Sequence, residues 1–101
     1  MADKVDIEVI DETTHGAYRA AIPGSSQKAE LTWRARGEAW IADHTYVPPE
    51  ARGSGIAMQL VERLVADARE KGFTIEPQCS YVAAAFRRHP DWADVRAATG
   101  E

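Results

Sequence analysis

The chain has 101 residues, 45% of them hydrophobic, with a formal net charge of -4 at pH 7. That length supports one domain, at the small end of what folds alone. The acidic balance excludes a general binder of nucleic acid or anionic membrane, which carries a basic excess, and no apolar run approaches the roughly 18 residues of a membrane span.

In chain order, Val5, Ile7 and Val9 alternate with Asp6 and Glu8, which predicts a first strand with one wet face. "DETTHG" reads as a turn. Tyr18, Ala20 and Ile22 predict a second strand, ended by Pro23 and the "PGSSQ" turn. Leu31, Trp33 and Ala35 alternate with Thr32, Arg34 and Arg36 as a third, and Gly37 makes a tight connection. Residues 38–47, "EAWIADHTYV", predict a fourth strand, with Trp40, Ala42, His44 and Tyr46 on one face and Ile41, Asp43, Thr45 and Val47 on the other. Both faces are partly apolar, as in a central strand covered on both sides.

At Gly55 the period changes. Ile56, Leu60 and Leu64 recur every fourth residue beside Ala57, Val61, Val65 and Ala68, while Glu62, Arg63, Asp67 and Glu70 fall on the other side. This predicts an amphipathic helix closed by Lys71 and Gly72. "FTIEPQC", residues 73–79, reads as a fifth strand, parallel to the fourth because a crossover helix joins them. Ser80 is the expected N-cap of a short helix, "YVAAAFRR", stopped at His89-Pro90, and "DWADV" reads as a turn. The expected fold class is α/β (α+β): a mixed, mostly antiparallel sheet of about five strands carrying one β-α-β unit. One domain over residues 1–95 and a frayed tail over 96–101 are expected.

The segment "HTYVPPEARGSGIA", residues 44–57, sets a glycine-rich turn between a strand and the longest helix. The first amides of a helix lack intrachain partners, and the helix dipole adds partial positive charge, so such a turn suits an anion. Gly53 and Gly55 permit positive φ and close approach of the backbone, and Arg52 adds a cation suited to phosphate oxygens. It is not a Walker loop, because Gly-Lys-Ser/Thr is absent.

Arg52-x-x-Gly55-x-Ala57 resembles the pyrophosphate-binding signature of the GNAT (GCN5-related N-acetyltransferase) superfamily, Gln/Arg-x-x-Gly-x-Gly/Ala. Together with "PQCSYVAAAFRRHPDW", the segment is more closely similar to the small single-domain, YjdJ-type branch of that superfamily, over residues 44–92. The resemblance implies acetyl-CoA (coenzyme A) as the cofactor. It implies a pyrophosphate site on the turn formed by Arg52, Gly53, Ser54, Gly55, Ile56 and Ala57, and pantetheine bonded near Tyr46 and Val47 where the fourth and fifth strands splay apart. In ordinary members a helix pair between the first two strands walls the acceptor site; only "DETTHG" fits there, so an open acceptor site is expected. Phe86 is assigned to the cofactor site, where ordinary members place a tyrosine that protonates the departing thiolate.

Two residues are candidate catalysts. His44 is suited to accept a proton from an amine near neutral pH. Cys79, just before a helix start, is suited to take an acyl group itself if its thiol pKa is lowered. Trp33 and Trp40 read as sheet packing, Asp43 as a hydrogen-bonded structural group, and no metal site is expected. The expected function is transfer of an acetyl group to an amine or peptide. The alternative is an acyl-CoA-binding or regulatory module without catalysis. No nucleic-acid or membrane partner is expected. A single cysteine and no secretion signal after Met1 suit a reducing cytoplasm.

Overall fold

A computed structural model describes residues 4–97. Its elements are β1 (Ile7–Asp11), β2 (His15–Ala21), β3 (Lys28–Arg36), β4 (Ala39–Tyr46), α1 (Ile56–Lys71), β5 (Thr74–Pro77) and α2 (Ser80–Arg88), with 3-10 turns at Pro49–Ala51 and Pro90–Val95. The strands form one sheet in chain order. β1 to β4 are antiparallel, and β5 joins β4 in parallel through α1. The α+β class and the mixed five-stranded sheet are those expected, because period-2 and period-3.6 patterns do not overlap in this chain.

α1 lies on the sheet face that carries Tyr18, Leu31 and Trp33, and its Leu60, Val61 and Leu64 are fully buried there. Each such side chain contributes roughly 1.5–3 kcal/mol by leaving water. α2 and the 3-10 turn after it complete the same core through Val82, Phe86, Trp92 and Val95. Trp33 stacks on Trp40 with ring centroids 3.6 Å apart, and Trp40 stacks on Phe73 at 3.7 Å. Asp67 departs from the amphipathic pattern. It is buried, accepting a hydrogen bond from the Tyr18 hydroxyl at 2.9 Å and one from Arg63 Nε at 3.1 Å. A carboxylate in that position is tolerated because both oxygens have donors.

The two-face reading of β4 needs correction. Thr32 pairs with His44 but Trp33 pairs with Ala42, so Asp43 is an extra residue, a β-bulge. The bulge reverses the alternation. Before it, Trp40 and Ala42 face the core with Ala35 and Trp33; after it, Thr45 does, opposite Leu31. His44 and Tyr46 turn to the other face, opposite Thr32 and Glu30. That other face is polar and is knitted by the ion pairs Arg19–Glu30, Arg34–Asp43 and Arg36–Glu76. Ile41, buried on it, is flanked in register by Arg34 and Glu76.

Other expectations shift by a residue or two. β1 runs on to Asp11 and β2 starts at His15, so the first turn is shorter than "DETTHG". β5 stops at Pro77, because the next two amides, of Gln78 and Cys79, converge on one acceptor, the Ala42 carbonyl, instead of continuing along β4. Two residues expected in the tail are tied down: Arg96 bridges to Ile75, and the Ala97 amide donates to the Ile75 carbonyl at 2.8 Å. Residues 98–101 lie outside the described part. No described helix is long and apolar enough to cross a membrane.

Candidate functional site

The parallel pairing of β4 with β5 ends at Ala42 and Pro77. The amides of Gln78 and Cys79 then both donate to the Ala42 carbonyl, at 3.1 and 2.9 Å. Beyond that shared acceptor the two chains part: β4 continues through the bulge to Tyr46, while the other turns into α2. The result is a cleft of about 540 Å³. Thr45, Tyr46 and Val47 line one side, Tyr81 the other, and Ala51, Arg52, Gly53, Gly55, Ile56 and Ala57 its end.

That end is the start of α1, and it is electrostatically open. Gly53 and Gly55 both hold left-handed φ, 84° and 88°. Gly55 is the N-cap, no side chain caps the helix, and its first turn has no acidic residue. Within the turn, the Arg52 amide donates to the Pro49 carbonyl at 3.3 Å and the Ser54 amide to the Ala51 carbonyl at 3.1 Å. The Ile56 amide has a long bond of 3.4 Å to Ser54 Oγ. The amides of Gly53, Gly55, Ala57 and Met58 have no partner among the described residues. Four open donors at the positive end of a 16-residue helix make a site for an anion.

Cys79, not Ser80, is the N-cap of α2. Its thiol is half-buried and donates to Thr45 Oγ1 at 3.4 Å, which puts it one side chain behind the cleft wall. Burial pushes the thiol pKa up. Once ionised, the sulfur accepts instead from the Thr45 hydroxyl and the amides of Val82 and Tyr81, and these bonds outweigh burial and leave the pKa below the ordinary cysteine range. His44 is exposed on the polar face. The structure therefore brings Cys79 to Thr45, and leaves Cys79 and His44 on opposite faces of β4. Asp43, the bulged residue, accepts from Thr32 Oγ1 at 2.6 Å and Arg34 Nε at 3.0 Å.

The assignment of Phe86 to the cofactor site is corrected by its packing. It is buried edge-on against Trp92, ring centroids 5.2 Å apart, and does not line the cleft. Only the first turn of α2 reaches the cleft, and the side chain it presents there is Tyr81. Burial holds the Tyr81 hydroxyl above the usual tyrosine range, despite Arg88, so it remains a donor. Sequence reasoning missed Tyr81 because it counted from the end of α2 and took Ser80 as the N-cap.

A family model described as GCN5-related N-acetyl-transferase matches residues 17–95. The matched span runs from β2 to the end of the last 3-10 turn, and so takes in the cleft, the glycine turn and Cys79.

Proposed function

The chain belongs to the GCN5-related N-acetyl-transferase family, and we propose that it is an acetyl-CoA-dependent N-acetyltransferase with its cofactor along the cleft between β4 and α2. The observation that carries this reading is the uncapped start of α1 at the end of the splay. Open amides at Gly53, Gly55, Ala57 and Met58 suit a pyrophosphate. The edge of β4 beyond Ala42, free of β5, suits the amides of a pantetheine arm. When bound, the cofactor supplies an acetyl group activated as a thioester. Thr45 holds Cys79 one side chain behind the cleft wall, and a movement of Thr45 would let its thiolate act as the nucleophile of a covalent route. On the opposite face the His44 imidazole would take the proton of an acceptor amine in a direct route. The acceptor approaches the polar face, which no helix pair between β1 and β2 walls off.

That bare face also favours a second reading, an acyl-CoA-binding module without catalysis. Titration with acetyl-CoA, followed by backbone amide shifts, tests both. The largest shifts are expected over residues 53–58; largest shifts in the 12–14 or 22–27 turns would remove the site. Binding there with no turnover across a panel of amines and peptide N-termini would select the module.

A further inference from the structure

The two halves of the cleft, the end of β4 and the glycine turn, are joined by residues 48–51, which include Pro48 and Pro49. This connection is bonded to itself: the Ala51 amide donates to the Pro48 carbonyl at 2.9 Å and the Arg52 amide to the Pro49 carbonyl at 3.3 Å. The Arg52 side chain then reaches back past it, and its Nε donates to the Val47 carbonyl at 3.2 Å. Val47 follows the last residue of β4, so this carbonyl lies beyond the sheet ladder. The guanidinium makes no ion pair with a carboxylate among the described residues.

We infer that Arg52 is a positioning residue: as a hydrogen-bond donor to the Val47 carbonyl it fixes the span between the two halves of the cleft, and its charge is not what binding requires. The inference rests on the proposed coenzyme A site. A contact already made without ligand organises the cleft in advance, so its removal weakens binding of a ligand that must touch both halves at once. A residue serving as a phosphate ligand would act through its charge instead. The chemistry of the side chains separates the two. Glutamine carries an N–H donor at the same number of bonds from Cα as Arg Nε, without charge. Lysine carries the charge but no donor at that point, and methionine carries neither.

The experiment is calorimetric titration of coenzyme A into the parent protein and into Arg52→Gln, Arg52→Lys and Arg52→Met, with a thermal melt of each. Arg52 is exposed, so all four are expected to fold. Arg52→Gln should bind within about twofold of the parent, while Arg52→Lys and Arg52→Met should bind about fivefold to tenfold more weakly, the worth of one hydrogen bond. Lysine at parent affinity with glutamine weakened would overturn the inference, as would equal affinity, or equal loss, in all three variants. A ligand-free measurement guards it. In the parent, the Arg52 Nε–H should exchange with water more slowly than that of exposed Arg87, which makes no hydrogen bond to another side chain among the described residues; equal exchange rates count against the brace. If the parent does not bind coenzyme A, the site itself fails, while the exchange measurement still reports on the contact.

Discussion

Gly53 offers a way to separate strain in the turn from obstruction of the cleft. It holds φ 84°, it lines the cleft, and a Cβ placed on it meets no protein atom within 4 Å. Alanine there strains the backbone without a clash, which costs about 1–2 kcal/mol. In a domain of this size each kcal/mol lowers Tm by roughly 4–8 °C. Asparagine tolerates the left-handed region far better, so Gly53→Asn should melt closer to the parent than Gly53→Ala. Both variants nevertheless place a Cβ on the rim of the cleft beside the open amides. Coenzyme A affinity should therefore fall by about tenfold or more in both, about 1.4 kcal/mol, although their stabilities differ. Calorimetric titration at a temperature where all three proteins are folded measures this, and the ligand-induced rise in Tm checks it by mass action. A Gly53→Asn variant that binds coenzyme A as the parent does would refute the reasoning, because the space above the turn would then be only solvent.

Tyr18→Phe leaves the buried Asp67 with one donor fewer and should lower stability by about 1–3 kcal/mol in urea titrations. Burial first, and the bond to Asp67 second, raise the Tyr18 hydroxyl far above its ordinary value, so its contribution is intact below pH about 10 and is lost as pH rises beyond it; Tyr18→Phe should show a shallower alkaline loss, and identical alkaline limbs would contradict this. For Asp43, burial pushes the carboxyl up but the bonds from Thr32 and Arg34 prevail and hold it below the usual range. Its contribution is present above pH about 4 and lost as pH falls, so Asp43→Asn should flatten the acid limb of the stability curve. Alkylation of Cys79 by iodoacetamide should have its pH midpoint below the ordinary cysteine value of about 8.5, and Thr45→Val should move it upward; an unchanged midpoint in Thr45→Val would remove Thr45 as the partner.

The sheet was legible because its strands alternate and α1 does not: Leu31, Trp33 and Ala35 could belong only to a strand, and Leu60 and Leu64 only to a helix face. The turn was legible because Gly53 and Gly55 stand where a strand gives way to a helix. What stayed hidden depends on tertiary contacts. Asp67 reads as a surface carboxylate until Tyr18, 49 positions away in the chain, is seen to bond it. Phe86 and Tyr81 lie on one short helix, and which of them meets the cleft follows from how α2 docks on Trp92, not from spacing. The bulge at Asp43 has no local signal at all, since "ADHT" holds no glycine. It shows only when β4 is set in register against β3.

The bulge nonetheless decides which chemistry is available. Strict alternation along β4 would separate Thr45 from the Trp40 and Ala42 face and leave His44 beside them. With Asp43 inserted, Thr45 joins the core side and meets Cys79, while His44 leaves it. A thiol lowered by an imidazole and a thiol lowered by a hydroxyl and helix amides behave differently on mutation. If His44 stood next to Cys79, removing it would strip the main cause of the lowered thiol pKa. With the strand between them and no shared partner, the two side chains should behave independently. His44→Ala should therefore leave the pH profile of Cys79 alkylation where it is in the parent, while Thr45→Val displaces it. The two variants together should shift it no further than Thr45→Val alone. A midpoint that moves in His44→Ala as far as in Thr45→Val would mean that the imidazole reaches the thiol, and the reversed alternation after Asp43 would have to be given up.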